Sequence, residues 1–470
     1  MHEDDRPAGP EESQDDRYLD PSNLEEQWHE YSELFAGLLR DNDNAALAAV
    51  AAELSPGDLS EVVRPLSVDD TARVIQLLPT DLASDVLAEI DKRSVTALME
   101  LLTIEAIADL IEEMPSDEAA DLVGDLDREQ AREVLAAMEK EERDEVRELL
   151  QYSPDTAGGL MAKEFIDVAE SSTCLQAVQT VRAMDENDRE GLHFLYVVDG
   201  LGVLCGRIPL VEMLLQPWST PVIDVMERDP MRVDVNLDQE QVAQYVRTHD
   251  LVTLPVVDDG GRLVGVISSD DILDVLEDEA TEDISLLAGT SEELGETSPM
   301  KVARARLPWL LGALLGQIGC VLMMKHFEAN LVATVSLTFF IPAIMAMGGN
   351  TGIQTSSVVV RGLATGEVNV YHIGRYLLRE LATALLTGGL VAAALYVVAD
   401  LLVGDRDLAL VLTISMLSVI VFAAMVGTAV PLLLHRFGID PAIATGPFIT
   451  TSNDILAILV YLSMASLLIH

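Results

Sequence analysis

GPFITTSNDILAILVYLSM, residues 446–464, is an apolar stretch able to enter a bilayer, and it carries a single carboxylate, Asp454. An Asp at mid-membrane costs roughly 2.5–3.5 kcal/mol to insert even on the generous scale. The residues just before it, Thr450, Thr451, Ser452 and Asn453, all carry polar oxygens. Thr450 and Thr451 lie four and three positions back, on the helix face of Asp454. Gly446-Pro447 is expected to loosen the helix and expose carbonyl oxygens beneath this face. A carboxylic acid bonded to a neighbouring helix would also account for Asp454. Intramembrane acids mark ion paths more often, so the stretch reads as a cation site.

Further apolar segments precede it, at about 307–327, 331–348, 377–403 and 408–434, with the last span drawn as 441–469. Four of the five cross a hydrocarbon core of ~30 Å as helices. The second does so only if it continues through 360. It ends in a polar island, PAIMAMGGNTGIQTSSVVVRG (342–362). Two adjacent glycines, then Asn350, Gly352 and Gln354, are expected to break the helix there. Irregular backbone at membrane depth survives only inside protein or beside a wet cavity. Helix packing explains Gly348, Gly349 and Gly352, but not Asn350 with Gln354. That i, i+4 amide pair is expected to face Asp454.

Bases fix the orientation. With the N-terminus inside, cytoplasmic flanks hold Lys301, Arg304, Arg306, Arg361, Arg375, Arg379 and Arg436, and outer loops only Lys325 and Arg406. The cell membrane is then crossed five times and the C-terminus lies outside. Residues 1–300 hold 71 Asp and Glu against 20 Lys and Arg, while residues 301–470 are nearly neutral with 8 against 9. Water is the solvent of the first part and lipid of the second. Lys is scarce (five) and Arg frequent (24), a balance that suits a proteome adapted to high salt, where an acidic surface maintains solubility. No nucleic-acid partner is expected. Cys174, Cys205 and Cys320 lack metal-ligand spacing, so neither a disulfide framework nor a zinc site is indicated. Residues 1–44 read as a disordered acidic tail without a signal peptide.

From 45 to 152 a short unit recurs: LSPGDLSEVVRPL (54–66), LPTDLASDVLAEI (78–90), LTIEAIADLIEEM (102–114) and MPSDEAADLVGDL (114–126). The starts are spaced 24, 24 and 12 residues apart. Each opens on an N-cap signal and continues as one amphipathic helix. Such short helices bury a face only by stacking, so a superhelical α-helical domain is expected. From 153 to 280 the period changes. FLYVVDGLGVLCGRIPLVEML (194–214) aligns with TLPVVDDGGRLVGVISSDDIL (253–273) at an offset of 59, each reading strand, turn, strand, helix. A weaker match leads each copy, GLMAKEFIDV (159–168) and DVMERDPMRV (224–233). The tandem units resemble a pair of cystathionine-β-synthase (CBS) domains, regulatory α/β modules that often take adenine nucleotides or metal ions. Residues 281–306 suit a connecting helix, and 307–470 the membrane domain.

In this order, with P-x(5)-GGN-x-G-x-Q-x(6)-R in span two and an ND Asp in span five, the chain resembles the MgtE family of magnesium channels from about residue 45 onward. The resemblance implies a homodimer in membrane lipid with the pore on its two-fold axis. Asp454 of both subunits would hold hydrated Mg²⁺, with Gly349, Asn350 and Thr450 about it. Mg²⁺ dehydrates reluctantly and takes few carboxylates plus water. The resemblance also implies cytoplasmic Mg²⁺ ions that hold a closed state, at Asp117, Asp121, Asp238, Glu240, Asp250, Asp271, Asp274, Glu279, Glu282, Asp283 and Asp440. ATP or another adenine nucleotide is a candidate for the CBS cleft. Gly446 departs from the family, which commonly has Asn before this Pro.

Magnesium moving down its electrochemical gradient, shut off by cytoplasmic Mg²⁺, is therefore the expected function. Transport of Co²⁺ or Mn²⁺, or flux coupled to a monovalent ion, keeps the same architecture. A CBS-type membrane sensor without transport would need neither Asp454 nor the GGNTGIQ island. An enzyme is not expected: no Lys follows the glycines as in a phosphate loop, and no nucleophile–base pair is apparent.

Overall fold

The computed structural model describes residues 21–184, 192–288, 299–365, 368, 373–444 and 446–468. The first helix, α1 (Pro21–Asp41), already buries Phe35 and Leu39. The expected disordered tail is therefore wrong from residue 21 onward, and its first 20 residues lie outside the described ones. After α2 (Asn44–Ala51) come α3 (Pro56–Val63), α4 (Val68–Ile75), α5 (Thr80–Ala88), α6 (Lys92–Met99), α7 (Ile104–Glu112), α8 (Ser116–Asp125), α9 (Arg128–Ala137) and α10 (Lys140–Leu149). From α3 to α10 every helix begins 12 residues after the last. The true period is half the 24 first read, because α4 and α6 open on Ser67 and Asp91 rather than on a Leu-Pro or Leu-Ser-Pro signal.

Capping starts these helices. Ser55, Ser67, Asp91, Thr103 and Asp127 each accept a first-turn backbone N–H. Alternate helices then touch: α3 packs on α5, α5 on α7 and α7 on α9, while α4 packs on α6, α6 on α8 and α8 on α10. Helices of 8–10 residues are marginal alone, and this stacking supplies the missing burial. Pro115 leaves α8 without a side-chain cap of its own. Glu164 substitutes, accepting from Ser116 N at 3.0 Å and Ser116 Oγ at 2.8 Å.

The α/β region follows: β1 (Asp167–Ala169), α11 (Cys174–Ala183), β2 (Phe194–Val198), β3 (Leu204–Pro209), α12 (Leu210–Leu214), α13 (Val222–Val225), β4 (Glu227–Arg228), β5 (Val233–Asp234), α14 (Gln239–His249), β6 (Thr253–Val257) and β7 (Leu263–Ser268). Hairpin β2–β3 pairs Phe194 with Pro209 and shifts register at Val197/Val198; hairpin β6–β7 pairs Thr253 with Ser268 and shifts at Val256/Val257. The two copies match residue for residue at the offset of 59. One detail differs from the tandem reading. The start of each copy pairs with the other: β4 joins β3 of the first sheet, while Ala162 bridges Val266 in the second.

Contacts divide the chain between Leu273 and Asp274, within α15 (Ser269–Ala288). The connecting helix expected over 281–306 is thus a continuation of the last CBS helix as far as 288, and 289–298 lie outside the described residues. Among the described residues, five helices long and apolar enough to cross a membrane follow: α16 (Pro299–His326), α18 (Ser336–Ala364), α19 (Ile373–Val403), α20 (Arg406–Arg436) and α21 (Gly446–Leu468). The short α17 (Glu328–Ala333) joins the first two. α16 includes Lys301, Arg304 and Arg306, which fall within the stretch assigned to the connecting helix. α21 packs on α16, α18 and α20, and α20 packs on α18 and α19.

The expected break in span two does not occur. α18 runs unbroken through Pro342 and the GGNTGIQ island. Its glycines serve helix approach: a Cβ on Gly348 would stand 3.0 Å from Val419 Cγ1, and one on Gly427 would stand 2.7 Å from the Gly352 carbonyl oxygen. Gly446-Pro447 likewise opens α21 instead of loosening it, with Gly446 at φ +50°. Proline is well tolerated in a first turn.

Candidate metal centre

Asp454 is the ninth residue of α21, about 12 Å along the axis from its start at 1.5 Å per residue. That is shallower than the mid-span position expected when the helix was drawn from 441. Its two oxygens have different surroundings. Oδ2 accepts a 2.7 Å hydrogen bond from Gln317 Nε2 on α16. Oδ1 faces α18, 3.7 Å from where a Cβ on Gly349 would stand. The same imagined Cβ lies 3.5 Å from Thr450 Cγ2. A glycine there leaves room for about one side-chain atom beside Oδ1.

Gly349 and Thr450 are thus brought to Asp454. The Thr450 hydroxyl is already committed, donating to the Gly446 carbonyl at 2.6 Å. Asn350 and Gln354 are exposed on α18, and the residue of the island set against the carboxylate is Gly349. Asn453 is the buried amide instead. It is 1% exposed, neither of its amide atoms has a hydrogen-bond partner, and it fills the space left by Gly352. A second membrane carboxylate, Glu380 on α19, accepts from Thr355 Oγ1 at 3.1 Å.

Gln317 and Glu380 escaped the sequence reading. Glu380 directly follows Arg379, a base assigned to a cytoplasmic flank. Gln317 was findable, since a lone amide in the middle of the 307–327 apolar run demands a partner.

Of the cytoplasmic acids, several have structural duties. Asp238 caps α14, accepting from Glu240 N at 3.1 Å. Asp250 ends the same helix in the left-handed region at φ +50°. Asp121 meets Lys92 at 3.4 Å. Asp271 Oδ2 accepts from Ser268 N at 3.0 Å and also from Ser268 Oγ.

Two places gather carboxylates. Asp117 is driven well above the carboxylate range by burial, then by the charges of Asp271, Glu118 and Glu164, and its Oδ1 has no partner. Asp283 is pushed up to about 6 by burial, then by Asp440, Glu279 and Glu282. Asp440 Oδ1 also accepts from Ala442 N at 2.7 Å. Asp274 lies on α15 nine residues before Asp283. Among the described residues, no three of His, Cys, Asp and Glu stand close enough to hold an ion between them.

A five-span bundle with a carboxylate set against glycine, in one chain with stacked short helices and a CBS pair, is the build of a cation transporter. Comparison bears out the transporter. Residues 341–464 match the family described as divalent cation transporter, 41–155 the MgtE intracellular N domain and 222–278 the CBS domain. The magnesium transporter MgtE of Thermus thermophilus is 36% identical over 70% of this chain and 73% of its own length. That of Enterococcus faecalis is 34% identical over 69% and 71%. A crystal structure of the cytosolic domain of the Mg²⁺ channel MgtE in complex with ATP is 30% identical, covering 52% of this chain and 99% of its own, with a TM-score of 0.49. The chain belongs to the MgtE family of magnesium transporters.

Proposed function

We propose that this protein conducts Mg²⁺ across the cell membrane down its electrochemical gradient, past Asp454, and that cytoplasmic Mg²⁺ closes the path. The observation that carries the first half is the carboxylate set against Gly349, with one oxygen open and one held by an amide. A single open oxygen with room beside it suits an ion that keeps most of its water. The carboxylate oxygen favours a hard cation over a softer one such as Co²⁺, and the Cys320 thiol on α16 stands within reach of the charge of Asp454. Each charge entering gains ~2.3 kcal/mol per 100 mV, so an ungated path would overload the cell.

The closing half rests on crowded carboxylates. Asp283 feels the charges of Asp440, Glu279 and Glu282, and Asp117 that of Asp271, and a divalent cation bound at either carboxylate, reaching the others through its waters, would lower the repulsion. The raised proton affinity of Asp283 and the unpartnered oxygen of Asp117 fit such an ion. Asp121, Asp238, Glu240 and Asp250 are weaker candidates, because caps and an ion pair already employ three of them. A homodimer with the path on its axis, the N-terminal domains cytoplasmic and the C-terminus outside completes the reading, together with an adenine nucleotide in the CBS cleft. The test is Mg²⁺ uptake into proteoliposomes with Mg²⁺ varied on the side of the N-terminal domains. Uptake that falls as this Mg²⁺ rises supports closure. Uptake independent of it leaves a channel without a sensor, and no uptake under any condition favours a sensor that only anchors in the membrane.

A further inference from the structure

Resting on the reading of Asp454 as the cation ligand, we infer that Gln317 is the positioning residue that makes this carboxylate a one-oxygen ligand and so disfavours larger divalent ions. The approach of α16 to α21 is built by glycines on either side of Gln317. A Cβ on Gly316 would overlap the Thr451 side chain, and one on Gly319 would lie 3.3 Å from Ile455 Cδ1. Between them Gln317 reaches across to Asp454 Oδ2 at 2.7 Å. Only the amide nitrogen can make this bond, since an amide oxygen turned to a carboxylate would be repelled. Oδ2 is thereby occupied, and Oδ1 is left towards Gly349.

The consequence is chemical. Ca²⁺ takes six to eight oxygens and readily uses both oxygens of one carboxylate, whereas Mg²⁺ holds near-octahedral geometry and keeps several waters. A metal that takes one oxygen, directly or through its water, leaves the Gln317 bond intact. One that chelates both oxygens competes with the Gln317 amide for Oδ2, and a hydrogen bond to a charged group is among the stronger ones in a protein. Gln317 therefore penalises Ca²⁺ while leaving Mg²⁺ nearly untouched. No acidic cluster is needed for this discrimination, only a donor on one oxygen and a glycine opposite the other.

The experiment is Mg²⁺ uptake by the full-length protein in proteoliposomes, with Ca²⁺ added as competitor. Gln317→Met keeps the length and apolar stem of the side chain and removes the donor. Whatever the level of its own Mg²⁺ uptake, the Ca²⁺ concentration that halves this uptake is expected to fall about tenfold, as loss of one charge-assisted hydrogen bond implies. An unchanged Ca²⁺ concentration overturns the inference. Should Gln317→Met fail to assemble, Gln317→Asn, which stays polar but falls short of Oδ2, carries the same expectation. Failure of both to assemble also overturns it, because the residue would then serve folding alone. Asp454→Asn in the same vesicles separates the two levels. If it transports as well as wild type, the parent reading has failed. If it is inactive while Gln317→Met shows unaltered Ca²⁺ block, only the role of Gln317 has.

Discussion

The open side of Asp454 depends on the absence of one side chain. At Gly349 an added methyl would make ordinary contacts with Thr450 Cγ2 and Asp454 Oδ1, so Gly349→Ala is expected to fold and to lower Mg²⁺ flux by obstructing the carboxylate. Gly349→Val is expected to abolish it. Flux through both variants equal to wild type would place the path elsewhere. Asp283 offers a test by pH. Its affinity for a proton is higher folded than unfolded, moving from the ordinary 3.8 to about 6. Stability from this group is therefore complete below about 4 and lost as pH rises through about 6. On the proposed reading, Mg²⁺ takes the place of the proton above that window. The rise in melting temperature caused by Mg²⁺ should be larger at about pH 7.5 than at about pH 5, and Asp283→Asn should reduce the difference. Equal rises at both pH values in the wild type would show that no ion relieves this group.

At the scale of elements, helix approach in the bundle depends on small residues. A Cβ at Gly427 would meet the backbone oxygen of Gly352, which no rotamer can move aside. Gly427→Ala is expected to part α18 from α20 at a cost of about 1–3 kcal/mol, seen as a lower melting temperature in detergent. Ser116 tests the borrowed cap of α8. Ser116→Ala leaves Glu164 with one donor fewer and should destabilise the junction by about 1–3 kcal/mol. These elements were unequally legible. The 59-residue offset of the hairpins was plain in the order of apolar and Gly positions, because strand pairing is local. The exchange of leading strands between copies was not, since it depends on long-range pairing of short segments such as 156–162. The glycines of α18 read as helix breakers because a lone sequence does not show what packs against them. Asp454 was legible for the cost of its burial, while its partner Gln317 lay 137 residues away on a helix whose contacts no period reveals.

The whole molecule joins two solvents in one chain. The first 300 residues carry a net charge of −51, and at low ionic strength that charge repels itself. At about 1 M salt the screening length is about 3 Å, against about 30 Å at 0.01 M. The protein should accordingly melt at a higher temperature in molar monovalent salt than in dilute buffer, and a flat profile would show that its acids are not under strain. Under such screening only ions in direct contact with carboxylates such as Asp283 can report cytoplasmic Mg²⁺. Transport through the bundle remains the central claim. It is tested most directly by Mg²⁺ uptake into proteoliposomes holding equal amounts of wild type and Asp454→Asn, with no Mg²⁺ on the cytoplasmic face. Uptake by wild type, and loss to the level of empty vesicles in the variant, is the predicted result. A correctly assembled Asp454→Asn that takes up Mg²⁺ as fast as wild type would contradict it.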